Sequence, residues 1–351
     1  MARIRVHTVH TSSARLWAHL AAPGVVYCAT GKDRMDVNEI RHISVIGAGL
    51  MGRGIALEFA LAGYHVSLND VSDGMLSDAV DSIATDLKML QEMGLATVTQ
   101  TAPVPDRIRT TSSLEDAVAD ADFVVEAVTE DLSVKEGVFA QFDMHSPARA
   151  ILASNSSTFM PSQMARATGR PDRVVVTHYF NPPYLVPVVE IVGSPETSDE
   201  TIEVARRLLS KVGKRSVVLK KEAPGFIVNR LQIALMREAL SIVEQGIASA
   251  EDIDIVVRNS FGRRLAVAGP FEVFESAGLD VVLAMMEQLL PQIESRTEVP
   301  SAVREMVARG DLGIKTGKGF YEWTPESGAA LRRRIAEALV AGERLSESDG
   351  S

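Results

Sequence analysis

The chain has 351 residues, 46% of them hydrophobic and 23% charged, with a formal net charge of −10. That length supports two domains with a sizeable core, and the negative balance argues against a general affinity for nucleic acid or an anionic membrane. The single cysteine, Cys28, excludes a disulfide framework and a cysteine zinc site, and no apolar run approaches the length of a membrane span.

Residues 1–40 read as a separate extension, expected to be disordered. Residues 1–32 contain no acid, while Arg3, Arg5, Arg15 and Lys32 are basic. Such a composition also occurs in organelle transit peptides. No amphipathic period supports that alternative, and Met35 stands just ahead of the first strand as a start. His7, His10 and His19 lack metal-ligand spacing, so no metal is expected.

Residues 43–70 read ISVIGAGLMGRGIALEFALAGYHVSLND. An apolar strand runs into Gly47-x-Gly49-x-x-Gly52, a helical stretch follows, and a second apolar run closes on Asp70. This is the order of a dinucleotide-binding unit. Gly47 permits the tight turn, Gly49 lets a pyrophosphate approach the backbone, and Gly52 lets the helix pack close to the strand. The helix N-terminus offers free N–H groups to phosphate. A carboxylate at Asp70 accepts hydrogen bonds from ribose hydroxyls and repels a 2′-phosphate, which favours NAD.

Strands are predicted over 42–46, 65–69, 107–110, 123–127, 151–153, 173–179, 187–192 and 216–219. Helices alternate with them over 52–62, 72–93, 114–119, 134–142 and 201–212. The alternation points to a parallel, doubly wound Rossmann-type α/β sheet spanning 41–222. No long helix separates the strands at 173–179 and 187–192, so part of the sheet is open to antiparallel pairing. Beyond 222 strand signals nearly vanish. Helical spacing over 226–244, 252–258, 279–290 and 301–308, broken at Gly262, Gly269-Pro270 and Gly278, predicts an all-helical C-terminal domain over 223–342. The polar residues 343–351 are expected to be a mobile tail.

Ligands of such folds bind at the carboxyl ends of the strands. Three clusters lie there. SNSST at 154–158 offers hydroxyls and an amide, or simply a turn. HYFNPP at 178–183 begins with His178 at a strand end, and Glu190 lies on the next run. A carboxylate on one imidazole nitrogen would fix the tautomer and stabilise the charged form while the other nitrogen takes a proton from an alcohol. A satisfied core histidine beside a surface acid is the equal alternative on spacing alone. PGFIVNR at 224–230 places Asn229 at the domain boundary, a favoured ligand location.

These pieces together resemble the L-3-hydroxyacyl-CoA dehydrogenase family, from about residue 43 to 323. The matching segments are GAGLMGRGIA, the Asn155-Ser156-Ser157 turn, His178-x-x-Asn181-Pro182, Glu190, PGFIVNR, GPFEVFESAGLD and GIKTGKGFYEW. The resemblance implies that His178 is the general base, with Glu190 its partner and Ser157 and Asn229 positioning substrate. It implies cofactor contacts from Gly47, Gly49, Leu50, Met51 and Gly52, from Asp70, from Glu130 and Lys135, from Asn181, and from Lys315. The implied reaction is NAD-dependent oxidation of the 3-hydroxyl of a 3-hydroxyacyl-CoA such as 3-hydroxybutyryl-CoA, in a cytoplasmic homodimer assembled through the helical domain.

The double proline after Asn181, and Pro187, are more similar to the branch that includes L-gulonate 3-dehydrogenase (lambda-crystallin) and carnitine dehydrogenase. That similarity opens the same chemistry on a small acid without coenzyme A. Arg263 and Arg264 would then pair with a free carboxylate, unless they are plain surface charges. A non-catalytic, crystallin-like binding protein is a further alternative, opposed by the joint presence of Ser157, His178, Asn181, Glu190 and Asn229.

Overall fold

The computed structural model describes residues 35–348. The first half alternates strictly: β1 (His42–Ile46), α1 (Leu50–Leu61), β2 (His65–Asn69) and α2 (Asp73–Glu92). Two single-turn helices, α3 (Val98–Thr101) and α4 (Val104–Arg107), lead into β3 (Ile108–Thr111). Then come α5 (Leu114–Val118), β4 (Phe123–Glu126), α6 (Leu132–His145), β5 (Ile151–Ser154), α7 (Pro161–Ala165) and β6 (Val174–Tyr179). The sheet ends with β7 (Val188–Gly193), α8 (Asp199–Lys211) and β8 (Arg215–Val218).

The strand order is β3-β2-β1-β4-β5-β6-β7-β8. The chain winds outward in both directions from β1, so the carboxyl ends of β1 and β4 flank the point where the order reverses, the place where such sheets bind ligands. Every neighbouring pair is parallel except β6 with β7. The antiparallel step follows from the short, proline-bearing connection between them, which has no crossover helix. Strands β4, β5 and β6 are buried along their whole length. Apolar side chains fill both faces, with Ile55, Phe59, Val45 and Leu68 on one and Val124, Phe139, Phe142 and Leu152 on the other.

The segment 35–40, expected to belong to the disordered extension, is part of this core. Met35, Val37 and Ile40 are buried. The Met35 N–H donates to Glu200 Oε1 at 3.0 Å, and Lys211 Nζ donates to Asn38 Oδ1 at 2.6 Å, tying the segment to α8. Three apolar side chains removed from water, together with the two hydrogen bonds to α8, offset the ordering of so short a stretch. Residues 1–34, with the other readings made on them, lie outside the described residues.

From residue 228 the regular structure is helical: α9 (Val228–Glu244), α10 (Ala250–Asn259), α11 (Phe261–Leu265), α12 (Pro270–Glu275), α13 (Leu279–Leu289), α14 (Ser301–Arg309) and α15 (Pro325–Ser348). The tail expected from residue 343 is helical as far as Ser348, because α15 continues through it. Ala336 and Val340 of α15 are buried, and Glu343 pairs with Arg215 of β8 at 2.9 Å. Among the described residues, no helix is long and apolar enough to cross a membrane.

Candidate active site

The glycine turn after β1 is shaped for close approach. Gly47 has φ +102°, and a Cβ there would lie 2.5 Å from the Ala127 carbonyl oxygen. A Cβ on Gly52 would meet Gly47 O at 1.8 Å, so only glycine brings α1 this near the strand. A Cβ on Gly49 would meet nothing within 4 Å, which leaves open space beside the backbone. Gly49 caps α1 without a side-chain hydrogen bond, and the first turn carries no acid. Its N–H groups and positive end are therefore free for a phosphate. Asp70 at the end of β2 accepts from Ala48 N at 2.9 Å and Ser72 N at 3.1 Å, which fixes its carboxylate beside the turn. The turn, the free helix end and the acid fit NAD.

His178 and Glu190 are direct cross-strand partners in the β6–β7 ladder. His178 Nδ1 lies 2.8 Å from Glu190 Oε2. Glu190 Oε1 accepts from the N–H groups of Ile227 (2.8 Å) and Val228 (3.1 Å) at the start of α9. Burial pushes this carboxyl up, but the hydrogen bonds from His178, Ile227 and Val228 outweigh it and hold the group below the usual carboxylate range. With Glu190 ionised, Nδ1 carries the proton and Nε2 is left as an acceptor. The imidazole is only 4% exposed. Phe180 and Phe226 lie against it, with ring centroids at 4.5 and 5.5 Å.

Neither aromatic was singled out from the sequence. Phe226 has φ +51°, a left-handed conformation that costs a non-glycine residue on the order of 1 kcal/mol and is held only where packing dictates it. Here it places the ring against His178 and the next two N–H groups against Glu190. The signal lay in PGF, where a buried aromatic directly follows a turn glycine.

Asn229 Nδ2 donates to the Ser157 carbonyl at 3.0 Å, joining α9 to the turn after β5. Asn155 Oδ1 accepts from Tyr179 N at 2.9 Å, joining that turn to β6. A cavity of about 330 Å³ opens between these elements, lined by Met51, Glu130, Lys135, Asn155, Ser157, His178, Phe180 and Asn181 among others. It connects the glycine turn, through Met51, to the histidine.

Lys135 is 1% exposed, clasped between Glu126 Oε1 at 2.8 Å and Glu130 Oε2 at 3.1 Å. Glu130 Oε1 in turn accepts from Ser156 Oγ, Ser157 N and Thr158 N at 2.7–3.2 Å. Burial raises the Glu130 carboxyl, but the Ser156 hydrogen bond and the Lys135 charge bring it below its ordinary value. Glu126, missed from sequence, is fully buried at the end of β4 and also accepts from Ser154 Oγ at 2.5 Å. Glu126, Glu130 and Lys135 thus fix the turn that carries Ser157. Leu50 is half exposed at the start of α1. Lys315, Arg263 and Arg264 are exposed and do not line the cavity. Among the described residues, no cluster of histidine, cysteine or acidic side chains is arranged to hold a metal.

The family model for the 3-hydroxyacyl-CoA dehydrogenase NAD binding domain matches residues 42–223, and that for the C-terminal domain matches residues 225–323. The L-carnitine dehydrogenase of Streptomyces griseus subsp. griseus is 37% identical over 317 residues, covering 88% of this chain and 92% of its own. A probable 3-hydroxybutyryl-CoA dehydrogenase of Bacillus subtilis is 35% identical over 286 residues, covering 81% and 98%. The crystal structure of an NAD+-dependent dismutase, a pyridine-carboxylate 5-dehydrogenase, superposes with a TM-score of 0.81 at 33% identity, covering 88% of this chain and 99% of that one. With both domains matched in order, the chain belongs to the 3-hydroxyacyl-CoA dehydrogenase family and is an NAD-dependent oxidoreductase of that type.

Proposed function

We propose that the enzyme oxidises the 3-hydroxyl of a 3-hydroxyacyl compound, with His178 as the proton acceptor. The observation that carries this reading is the 2.8 Å contact of His178 Nδ1 with Glu190, which leaves Nε2 free in a cavity continuous with the NAD turn. Bound NAD supplies the hydride acceptor. The protein's own groups do the rest. Nε2 takes the hydroxyl proton, and Glu190 stabilises the imidazolium that results. Ser157 and Asn181 on the cavity wall orient the substrate, while Asn229 holds the Ser157 turn in place. Met51 of the glycine turn, with Glu130, Lys135 and Asn181, forms the cofactor side of the cavity, and the cofactor contacts proposed for Leu50 and Lys315 fall outside its lining.

For the acyl group, the reading is a short 3-hydroxyacyl-CoA, supported by the match of both family domains and by the Bacillus subtilis relative. A small free hydroxy acid is a second reading with its own support. It is supported by the carnitine dehydrogenase, 37% identical over 317 residues, and by the pyridine-carboxylate dehydrogenase structure, which covers 88% of this chain. Steady-state turnover of 3-hydroxybutyryl-CoA, L-carnitine, L-gulonate and free 3-hydroxybutyrate decides between them. Turnover of the free acids alone removes the CoA reading. His178→Ala is expected to cut kcat on the order of 10²-fold or more with NAD affinity unchanged, and wild-type turnover in that variant removes the mechanism.

A cytoplasmic homodimer completes the proposal. Ile233 on α9, Phe271 on α12 and Leu279 on α13 are 67%, 85% and 63% exposed, and bare apolar side chains of this size support burial against a second copy. Sedimentation at micromolar concentration tests it, and a monomer there removes it.

A further inference from the structure

Residues 181–187 connect β6 to β7 and carry Asn181 and the double proline. They sit against α1, the helix whose free N-terminus faces the NAD site. A Cβ on Gly54 of α1 would come within 2.8 Å of Pro183 Cδ, so helix and loop touch without room for a methyl group. At the centre of this contact is Lys214, at the entrance to β8. Its Nζ donates to the carbonyl oxygens of Pro183 at 2.6 Å and Val186 at 2.8 Å, and pairs with Glu58 Oε1 of α1 at 2.6 Å. Both side chains are buried, at 5% and 7% exposure. A lysine in such a place is retained only if its charge is matched and its donors are filled. Here all three directions are used, two on the loop and one on the helix. The second Glu58 oxygen has no hydrogen-bond partner among the described residues, and neither does the buried hydroxyl of Tyr179 nearby. Tyr184 hydrogen-bonds Asp86 of α2, a further tie on the same loop.

We propose that Lys214 and Glu58 are a positioning pair that latches the 181–187 loop onto α1, holding Asn181 in register with His178 and with the helix that faces the cofactor. The proposal rests on the reading of His178 and Glu190 as the acid–base pair. Neither residue lines the cavity, so neither touches substrate. Lys214 acts through two carbonyl groups, and Glu58 acts by matching its charge. Beyond the Tyr184–Asp86 tie, Pro187 O at the loop's end accepts from Arg215 N at 2.8 Å, which leaves the Pro183–Val186 stretch to Lys214. The Leu185 and Val186 N–H groups both donate to Pro182 O, at 3.1 and 3.0 Å, and these two amides report whether the latch is closed.

The test is the double variant Glu58→Leu with Lys214→Met in the full chain. Apolar residues in place of a buried pair keep a fold stable, which separates positioning from stability. The expected result is a melting temperature near that of the wild type and an NAD dissociation constant unchanged within about twofold. The KM for the hydroxy substrate rises about tenfold or more, an energy of about 1.4 kcal/mol. Hydrogen exchange at Leu185 and Val186 quickens in the NAD-saturated protein, while α1 keeps its protection. The single variant Lys214→Arg, which can reach both carbonyls, recovers part of the KM. A double variant that folds, with KM and loop exchange as in the wild type, overturns the proposal. If the wild type turns over no hydroxy acid, the activity reading fails. The exchange measurement still decides the latch, because it needs no substrate.

Discussion

Glu190→Gln is the sharpest probe of the site, because it changes charge and hydrogen-bonding pattern at nearly constant shape. Glu190 receives three donors: His178 Nδ1 at 2.8 Å, Ile227 N at 2.8 Å and Val228 N at 3.1 Å. A glutamine offers one oxygen and one NH2. If the oxygen keeps the Ile227 and Val228 N–H groups, the NH2 faces Nδ1. Nδ1 must then be the acceptor, and the ring proton moves to Nε2, which in the proposed mechanism has to accept the hydroxyl proton and no longer can. If the oxygen faces Nδ1 instead, the NH2 confronts two backbone donors. A charged hydrogen bond of this kind contributes about 1.5–3 kcal/mol. Loss of the stabilised imidazolium and inversion of the tautomer together place the drop in kcat on the order of 10³-fold, about 4 kcal/mol of barrier. The assay is NADH formation at saturating NAD, with NAD affinity measured separately and expected unchanged. A kcat within about tenfold of wild type refutes the reasoning, since a general base without its tautomer partner does not run at that rate. Stability gives a second readout. The folded-state Glu190 carboxyl lies below its ordinary value, so its contribution is present above the unfolded pKa and is lost as pH falls through the folded one. The stability gap between wild type and Glu190→Gln therefore narrows in acid.

Gly52→Ala abolishes NAD binding, because the added Cβ would lie 1.8 Å from Gly47 O and the backbone there has no slack; quenching of intrinsic fluorescence on NADH titration reads it, and retained binding contradicts the account of the turn. Glu58→Gln changes how stability depends on pH. Burial raises the Glu58 carboxyl to about 7 against the pull of Lys214, so below that pH the folded state holds a proton that the unfolded chain gives up, and Glu58 matches the Lys214 charge only above it. Wild-type stability from this group is full below the ordinary carboxylate pKa and falls as pH rises toward 7. Urea denaturation between those limits shows a shallower slope in the variant, and an unchanged slope removes the assignment.

The sheet was legible because its strands are short apolar runs between turn residues. The predicted bounds of β1 and β2 coincide with those observed, and the antiparallel step at β7 followed from the absence of a helix before it. The pairing of His178 with Glu190 was only half legible, since two strands joined by a proline-rich turn allow such residues to face each other but spacing alone left a core histidine beside a surface acid as an equal reading; the β6–β7 register decides it. What stayed hidden was of two kinds. Helices of one turn, such as α3 and α11, are too short to show a period. Among its side chains described, α15 buries only Ala336 and Val340 as apolar groups, so its stripe is too thin to register. The second kind is contact between residues distant in sequence. Nothing in the order of residues joins Glu58 to Lys214, or Glu126 to Lys135 and Ser154, because those contacts exist only once the sheet has brought helix, strand end and loop together.

That division has a consequence for the chemistry. His178 and Glu190 stand on neighbouring strands of an eight-stranded sheet, so their mutual distance is set by the backbone ladder itself and shifts little with what lies outside it. Asn181 has no such support. Its place depends on a loop two of whose carbonyl groups, those of Pro183 and Val186, are held by one lysine, and on how a proline packs against a helix glycine. On the proposed assignment, changes in the loop or in its latch therefore move the Asn181 wall of the cavity without disturbing the His178–Glu190 pair. A fold built this way can exchange one hydroxy substrate for another while the proton transfer at His178 stays as it was. This is why the double proline at 182–183, and not the catalytic pair, is where a difference between thioester and free acid would be written.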